Sequence, residues 1–95
     1  MKPSLRLADN VVWREVGAEV VILDLTSNNY FGLNSIGSRV WHLIAQNRPI
    51  DEIVTTLLGE FDVGAEQLQA DIQELIEQLE SKGLLIQDDQ SPSIR

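Results

Sequence analysis

Within residues 29–43 the chain changes the period of its hydrophobic pattern, and that change organises everything on either side. Tyr30, Phe31 and Leu33 are strand-type residues, whereas from Ile36 onward the apolar positions Ile36, Val40, Leu43 and Ile44 keep helical spacing. Asn34 sits at the switch. Its side-chain oxygen can accept from an amide of the first helical turn, so strand and helix are expected to meet with almost no loop between them. Before the junction the pattern predicts strands, and after it helices.

Upstream, residues 11–16 (VVWREV) and 19–25 (EVVILDL) are rich in β-branched residues and are separated by Gly17-Ala18. A glycine at the first central position of a two-residue loop suits a type II′ hairpin. Residues 19–25 carry apolar side chains at successive positions, which predicts a central strand covered on both faces. Thr26, Ser27, Asn28 and Asn29 supply turn chemistry before a third strand, residues 29–33. The expected sheet is thus a three-stranded antiparallel meander with residues 29–33 on one edge. Residues 1–10 show no period and are expected to be an irregular lead-in.

Downstream, helices are predicted over residues 35–46, 49–58 and 65–82. Pro49 suits a helix start, and Ile53, Val54, Leu57 and Leu58 repeat at helical spacing. In the third helix Leu68, Ile72, Leu75, Ile76 and Leu79 form the stripe, and Lys82-Gly83 reads as a cation followed by a glycine stop. Leu84-Leu85-Ile86 is expected to be a short closing strand or a hydrophobic cap. Residues 87–95 (QDDQSPSIR) are expected to form a disordered polar tail. Three strands followed by three helices define an α+β, winged-helix-like domain: an N-terminal three-stranded antiparallel sheet, then a three-helix bundle. At 95 residues one domain, spanning residues 11–86, accounts for the ordered chain.

Charge and composition narrow the function. Residues 1–48 sum to +1 and residues 49–95 to −9, so the helical half is an acidic body that repels nucleic acid and anionic lipid. A winged-helix DNA binder shares the layout but needs cations on its recognition helix, where this chain has Glu66, Asp71, Glu74, Glu77 and Glu80 against Lys82. The absence of cysteine excludes disulfides and thiolate metal sites and fits a reducing, cytoplasmic setting. The longest apolar run, residues 20–23, is far short of a membrane span, and no signal-peptide core precedes it. His42 is the one histidine and follows Trp41 inside an amphipathic helix, where a packed or surface imidazole is the expected role. The carboxylates of the third helix drift around its polar side rather than converging on a metal. Gly32 and Gly37 lack phosphate-loop spacing. No catalytic residues, metal ligands or cofactor are therefore expected.

The sequence Tyr30-Phe31-Gly32-Leu33-Asn34, followed by Ile36-Gly37, Val40-Trp41, Ile53, Phe61-Asp62-Val63, Leu75 to Leu79 and Lys82-Gly83-Leu84-Leu85, resembles the PqqD-like proteins. These are peptide-recognition domains used in making ribosomal peptide natural products. The resemblance runs from about Val11 to Ile86, and departs at Pro49, where such proteins often carry a threonine-type cap. It implies a protein that is not an enzyme and that binds the leader segment of a precursor peptide by β-strand addition, presenting it to a leader protease or other modifying enzyme.

Carried onto this chain, the resemblance places the peptide edge at Asn28, Asn29, Tyr30, Phe31, Gly32 and Leu33. The groove wall falls on Leu68, Asp71, Ile72, Leu75 and Ile76. Ile76 and Asp71, at the flank of the stripe, are expected to touch the ligand, and Leu75 and Leu79 to belong to the core. A free-standing chain of this size is similar to the recognition proteins of lasso-peptide leader proteases, the favoured expectation. It is also similar to the pyrroloquinoline-quinone chaperone that acts with a radical SAM enzyme. Homodimerisation through the open sheet is compatible with either.

Overall fold

A computed structural model describes residues 4–88 as β1 (Ser4–Leu7), β2 (Val11–Val16), β3 (Glu19–Asp24), β4 (Asn29–Leu33), α1 (Ser35–Ala45), α2 (Ile50–Glu60), α3 (Ala65–Ser81) and β5 (Leu85–Asp88). The fold is α+β, with the antiparallel sheet β2-β3-β4 followed by three helices. Gly17 takes φ 67° while Ala18 keeps an ordinary φ, the signature of a type II′ turn between β2 and β3.

The register aligns Trp13, Ile22 and Phe31 in one row and Val12, Leu23 and Tyr30 in the next. Because side chains alternate across a strand, the two rows point to opposite faces. Ile22 is fully buried beneath the helices, and Trp13 and Phe31 pack against the same core. The other face is open. In β3 only Val20, Ile22 and Asp24 are buried, while Val21 and Leu23 are half-buried. The expectation that residues 19–25 are covered on both faces is thus corrected, because the helices pack on one side of the sheet alone.

Val40, Trp41, Leu43 and Ile44 of α1 are buried with Ile53, Val54 and Leu57 of α2 and Leu68, Ile72, Ile76 and Leu79 of α3. The Asn34 side chain caps α1 by accepting from the Gly37 amide at 2.8 Å, so the strand-to-helix junction has the expected form. Pro49 is the N-cap of α2 rather than its first helical residue, and the helix runs on to Glu60. Arg39 of α1 donates two hydrogen bonds to the Glu60 carboxylate, at 2.9 and 2.7 Å, tying the two helices together. α3 closes on Lys82, and Gly83 takes the left-handed φ of 76° that a helix stop requires.

The N-terminal end differs from expectation, and of the two alternatives for residues 84–86 the closing strand forms, as Leu85–Asp88. Instead of an irregular lead-in, Ser4–Leu7 pairs antiparallel with Leu85–Asp88 in a second, two-stranded sheet. Leu5 and Leu85 are buried, and the Ala8 amide bonds to the Leu84 carbonyl at 3.0 Å. Gln87 and Asp88 belong to β5, and the expected tail beyond them, residues 89–95, lies outside the described residues, as do residues 1–3. The four residues of β1 carry too little periodicity to be read, and their partner lies at the other end of the sequence.

Candidate functional site

β4 is the outer strand of its sheet, and its backbone can be sorted into paired and open groups. The Leu25 amide bonds toward β2, to the Asn10 carbonyl at 2.8 Å. The Val20 amide turns the other way and donates to Ser38 Oγ at 2.8 Å, and that hydroxyl donates onward to the Leu33 carbonyl at 3.2 Å. Even-numbered residues of β3 therefore face β4. The register Ile22↔Phe31 then directs the backbone groups of Phe31 inward, and the antiparallel alternation turns the N–H and C=O of Tyr30 and Gly32 out to the free edge.

The turn before β4 fixes where this edge begins. The buried Asp24 carboxylate accepts from the Thr26 amide (3.0 Å), the Ser27 hydroxyl (2.9 Å) and the Asn10 side chain (2.8 Å). The Thr26 amide and Ser27 hydroxyl outweigh the opposing effect of burial and, with Asn10, hold the carboxyl below the usual carboxylate range. Asn28 donates its amide to the Asp24 carbonyl at 2.6 Å and takes φ 63°, which asparagine tolerates better than most residues. Asn28 and Asn29 thus shape the turn and start the strand. At the far end Ser38, 2% exposed, anchors α1 to both β3 and β4.

Beside the free edge lies a shallow cleft of about 390 Å³, bounded by Tyr30, Phe31, Gly32, Leu33 and Asn34 from the strand, Gly37 from α1, and Leu75, Gln78, Leu79 and Lys82 from α3. Tyr30 is 71% exposed, and Gly32, beside it on the open side, has nothing within 4 Å of where a Cβ would stand. Phe31 points into the cleft and carries Lys82 Nζ over its ring, 5.8 Å from the centroid. Leu33 is buried and forms part of the floor.

Of the α3 residues expected to line a groove, only Leu75 does so. Leu68, Ile72 and Ile76 are between 1% and 3% exposed and are core, which corrects their assignment to the groove wall. Ile72 instead borders a separate cleft between α2 and α3, with Pro49, Val54 and Leu58. Asp71 is exposed and hydrogen-bonded to Gln67, one turn before Leu75 and outside the cleft. Leu75, expected in the core, is half-buried, and Leu79 is buried yet contributes to the cleft. The physical reason is rotation. The buried positions of α3 are 68, 72, 76 and 79, so the face toward β4 carries 75, 78, 79 and 82. Hydrophobicity ranks Ile76 and Leu75 alike, and only the direction of the neighbouring strand separates them. Gln78 and Lys82 were legible as the three- and seven-residue continuation of Leu75 along one face.

An open strand edge beside a partly apolar cleft bordered by a helix defines a module suited to receiving an extended peptide. The model of the family described as Coenzyme PQQ synthesis protein D (PqqD) matches residues 19–85, and the chain belongs to that family. Two solved structures share its fold. "TbiB1 in Complex with the TbiA(beta) Leader Peptide" is 30% identical over 94% of this chain and 99% of that one, with a TM-score of 0.81. "Lasso peptide synthetase B1 complexed with the leader peptide" is 20% identical over 87% and 98%, also with a TM-score of 0.81. Among curated proteins none matches the chain significantly.

Proposed function

We propose that this protein binds the leader segment of a ribosomally made precursor peptide as a strand added to β4 and presents it to a separate modifying enzyme, a leader protease of the lasso-peptide type. The observation that carries this reading is the coincidence of the open Tyr30 and Gly32 backbone groups with the cleft between Phe31 and Leu75. The similarity to TbiB1, whose structure contains a leader peptide, supports it.

The energetics say what the peptide must contain. Two outward residues offer two amides and two carbonyls, and bonds of ~1 kcal/mol net each only reach the low end of an association cost of ~4–15 kcal/mol. Two or three apolar leader side chains, at ~1.5–3 kcal/mol each on burial, are needed for micromolar binding. Leu75, Leu79, Phe31 and Leu33 provide the surface for them. The cleft is lined by aromatic, aliphatic and amide side chains with Lys82, a lining suited to holding and presenting a peptide. His42 is engaged elsewhere, with Nε2 3.2 Å from the Glu15 carboxylate and its ring against Trp13. No helix among the described residues is long and apolar enough to cross a membrane.

The test is an NMR titration with the leader of the precursor encoded beside this chain. Amide shifts should concentrate at residues 28–34 and along 75–82. Shifts concentrated at the α2–α3 cleft, around Val54 and Leu58, would place the peptide elsewhere. Precursor mass should stay unchanged with this protein alone and change only when the modifying enzyme is added.

A further inference from the structure

The peptide cleft contains one charge. Every other residue lining it is neutral, and Lys82 stands at its mouth with Nζ over the Phe31 ring. Among the described residues Lys82 has no ion-pair partner, although the carboxylates of Glu74, Glu77 and Glu80 share its helix. It is also the single cation among the described residues from 49 to 88. An ammonium over an aromatic face is attracted to the ring quadrupole while its charge remains available to a ligand.

Building on the leader-binding reading above, we infer that Lys82 is a specificity-determining residue that selects peptides carrying a carboxylate beside the apolar side chain seated in the cleft. A side chain held between Phe31 and Leu75 brings the neighbouring peptide residues to the C-terminal end of α3. There an Asp or Glu meets Lys82, while a Lys or Arg meets a like charge at a partly apolar site. None of the helix's carboxylates lines the cleft, so they act on a bound peptide from farther away than Lys82 and are more strongly screened by salt. As the cap residue of α3, Lys82 also complements the helix dipole, a role indifferent to the sequence of any peptide. The two roles separate by experiment.

A display library of random peptides is selected in parallel on the wild-type protein, Lys82→Met and Lys82→Glu, each first shown folded by circular dichroism. Wild type should enrich peptides with an apolar residue and an Asp or Glu at a fixed offset from it. Lys82→Met should keep the apolar preference and lose the acidic one. Lys82→Glu should replace the acidic residue by Lys or Arg at the same offset. Changing the selected acid to its amide should weaken wild-type binding about two- to fivefold at low salt, and less as salt is raised. An apolar consensus with no charge preference, or one that Lys82→Glu leaves unchanged, overturns the role of Lys82 while leaving peptide binding intact. Enrichment of no peptide over an unrelated control protein overturns the strand-addition reading itself, and this inference with it.

Discussion

Leu75 and Ile76 are adjacent, both aliphatic, and placed by α3 in different environments, so alanine at each should produce opposite phenotypes. Ile76 is 3% exposed in the core shared with α1 and α2. Its truncation leaves a cavity, which costs ~2–5 kcal/mol in comparable sites. A domain of this length holds only ~5–14 kcal/mol in total. At ~4–8 °C per kcal/mol, Ile76→Ala should lower Tm by at least ~8 °C. Leu75 is half-buried at the cleft wall, so Leu75→Ala should cost the free protein only about half of a full leucine burial, ~0.8–1.5 kcal/mol. In the complex the peptide covers the rest of that side chain, and losing this contact, the other ~0.8–1.5 kcal/mol, should weaken leader binding about 4- to 13-fold. Thermal melts and isothermal titration, with binding measured well below the Tm of each variant, make the comparison. A Leu75→Ala protein that binds like wild type, or a folded Ile76→Ala protein that binds more weakly than Leu75→Ala, would refute the rotation of α3 on which the cleft rests.

Amide hydrogen exchange reads the free edge directly: Tyr30 and Gly32 should exchange rapidly in the free protein and become protected when the leader binds, while Phe31 is protected throughout; equal protection of all three before binding would show that the edge is not open. Ser38→Ala should strand the Val20 amide and the Leu33 carbonyl, both of which the Ser38 hydroxyl bridges, and cost ~1–3 kcal/mol by denaturant unfolding; a loss below half a kcal/mol, on the order of a surface substitution, would mean that the bridge is replaced by water. The Asp24 carboxyl is held below its ordinary value when folded, so its stabilising effect is fully present above the ordinary carboxylate pKa and is lost as pH falls through that value toward the lower folded one. Melting temperature against pH should therefore fall less steeply on the acid side for Asp24→Asn than for the wild type, and an unchanged acid limb would remove the turn from the account of acid stability.

The strand-to-helix switch at Asn34 was legible because it depends on neighbours in sequence. Side-chain alternation, helical spacing and an N-cap act within a few residues, and β2, β3, β4 and the helices follow from them closely. The acidic charge of the helical half, which argued against a nucleic-acid partner, is likewise a sum over residues that no folding alters. Tertiary structure decided the rest. β1 is too short to announce itself and the sequence left β5 open between a strand and a cap; each is a strand because the opposite end of the chain supplies its hydrogen bonds. The half-buried Val21 and Leu23 read as interior until the helices were seen to occupy one face only. The face of α3 that meets β4 follows from how the whole helix packs against α1 and α2. A helix presents Leu75 and Ile76 about 100° apart, and an apolar stripe wide enough to include both leaves open which one is sealed in the core and which borders the cleft.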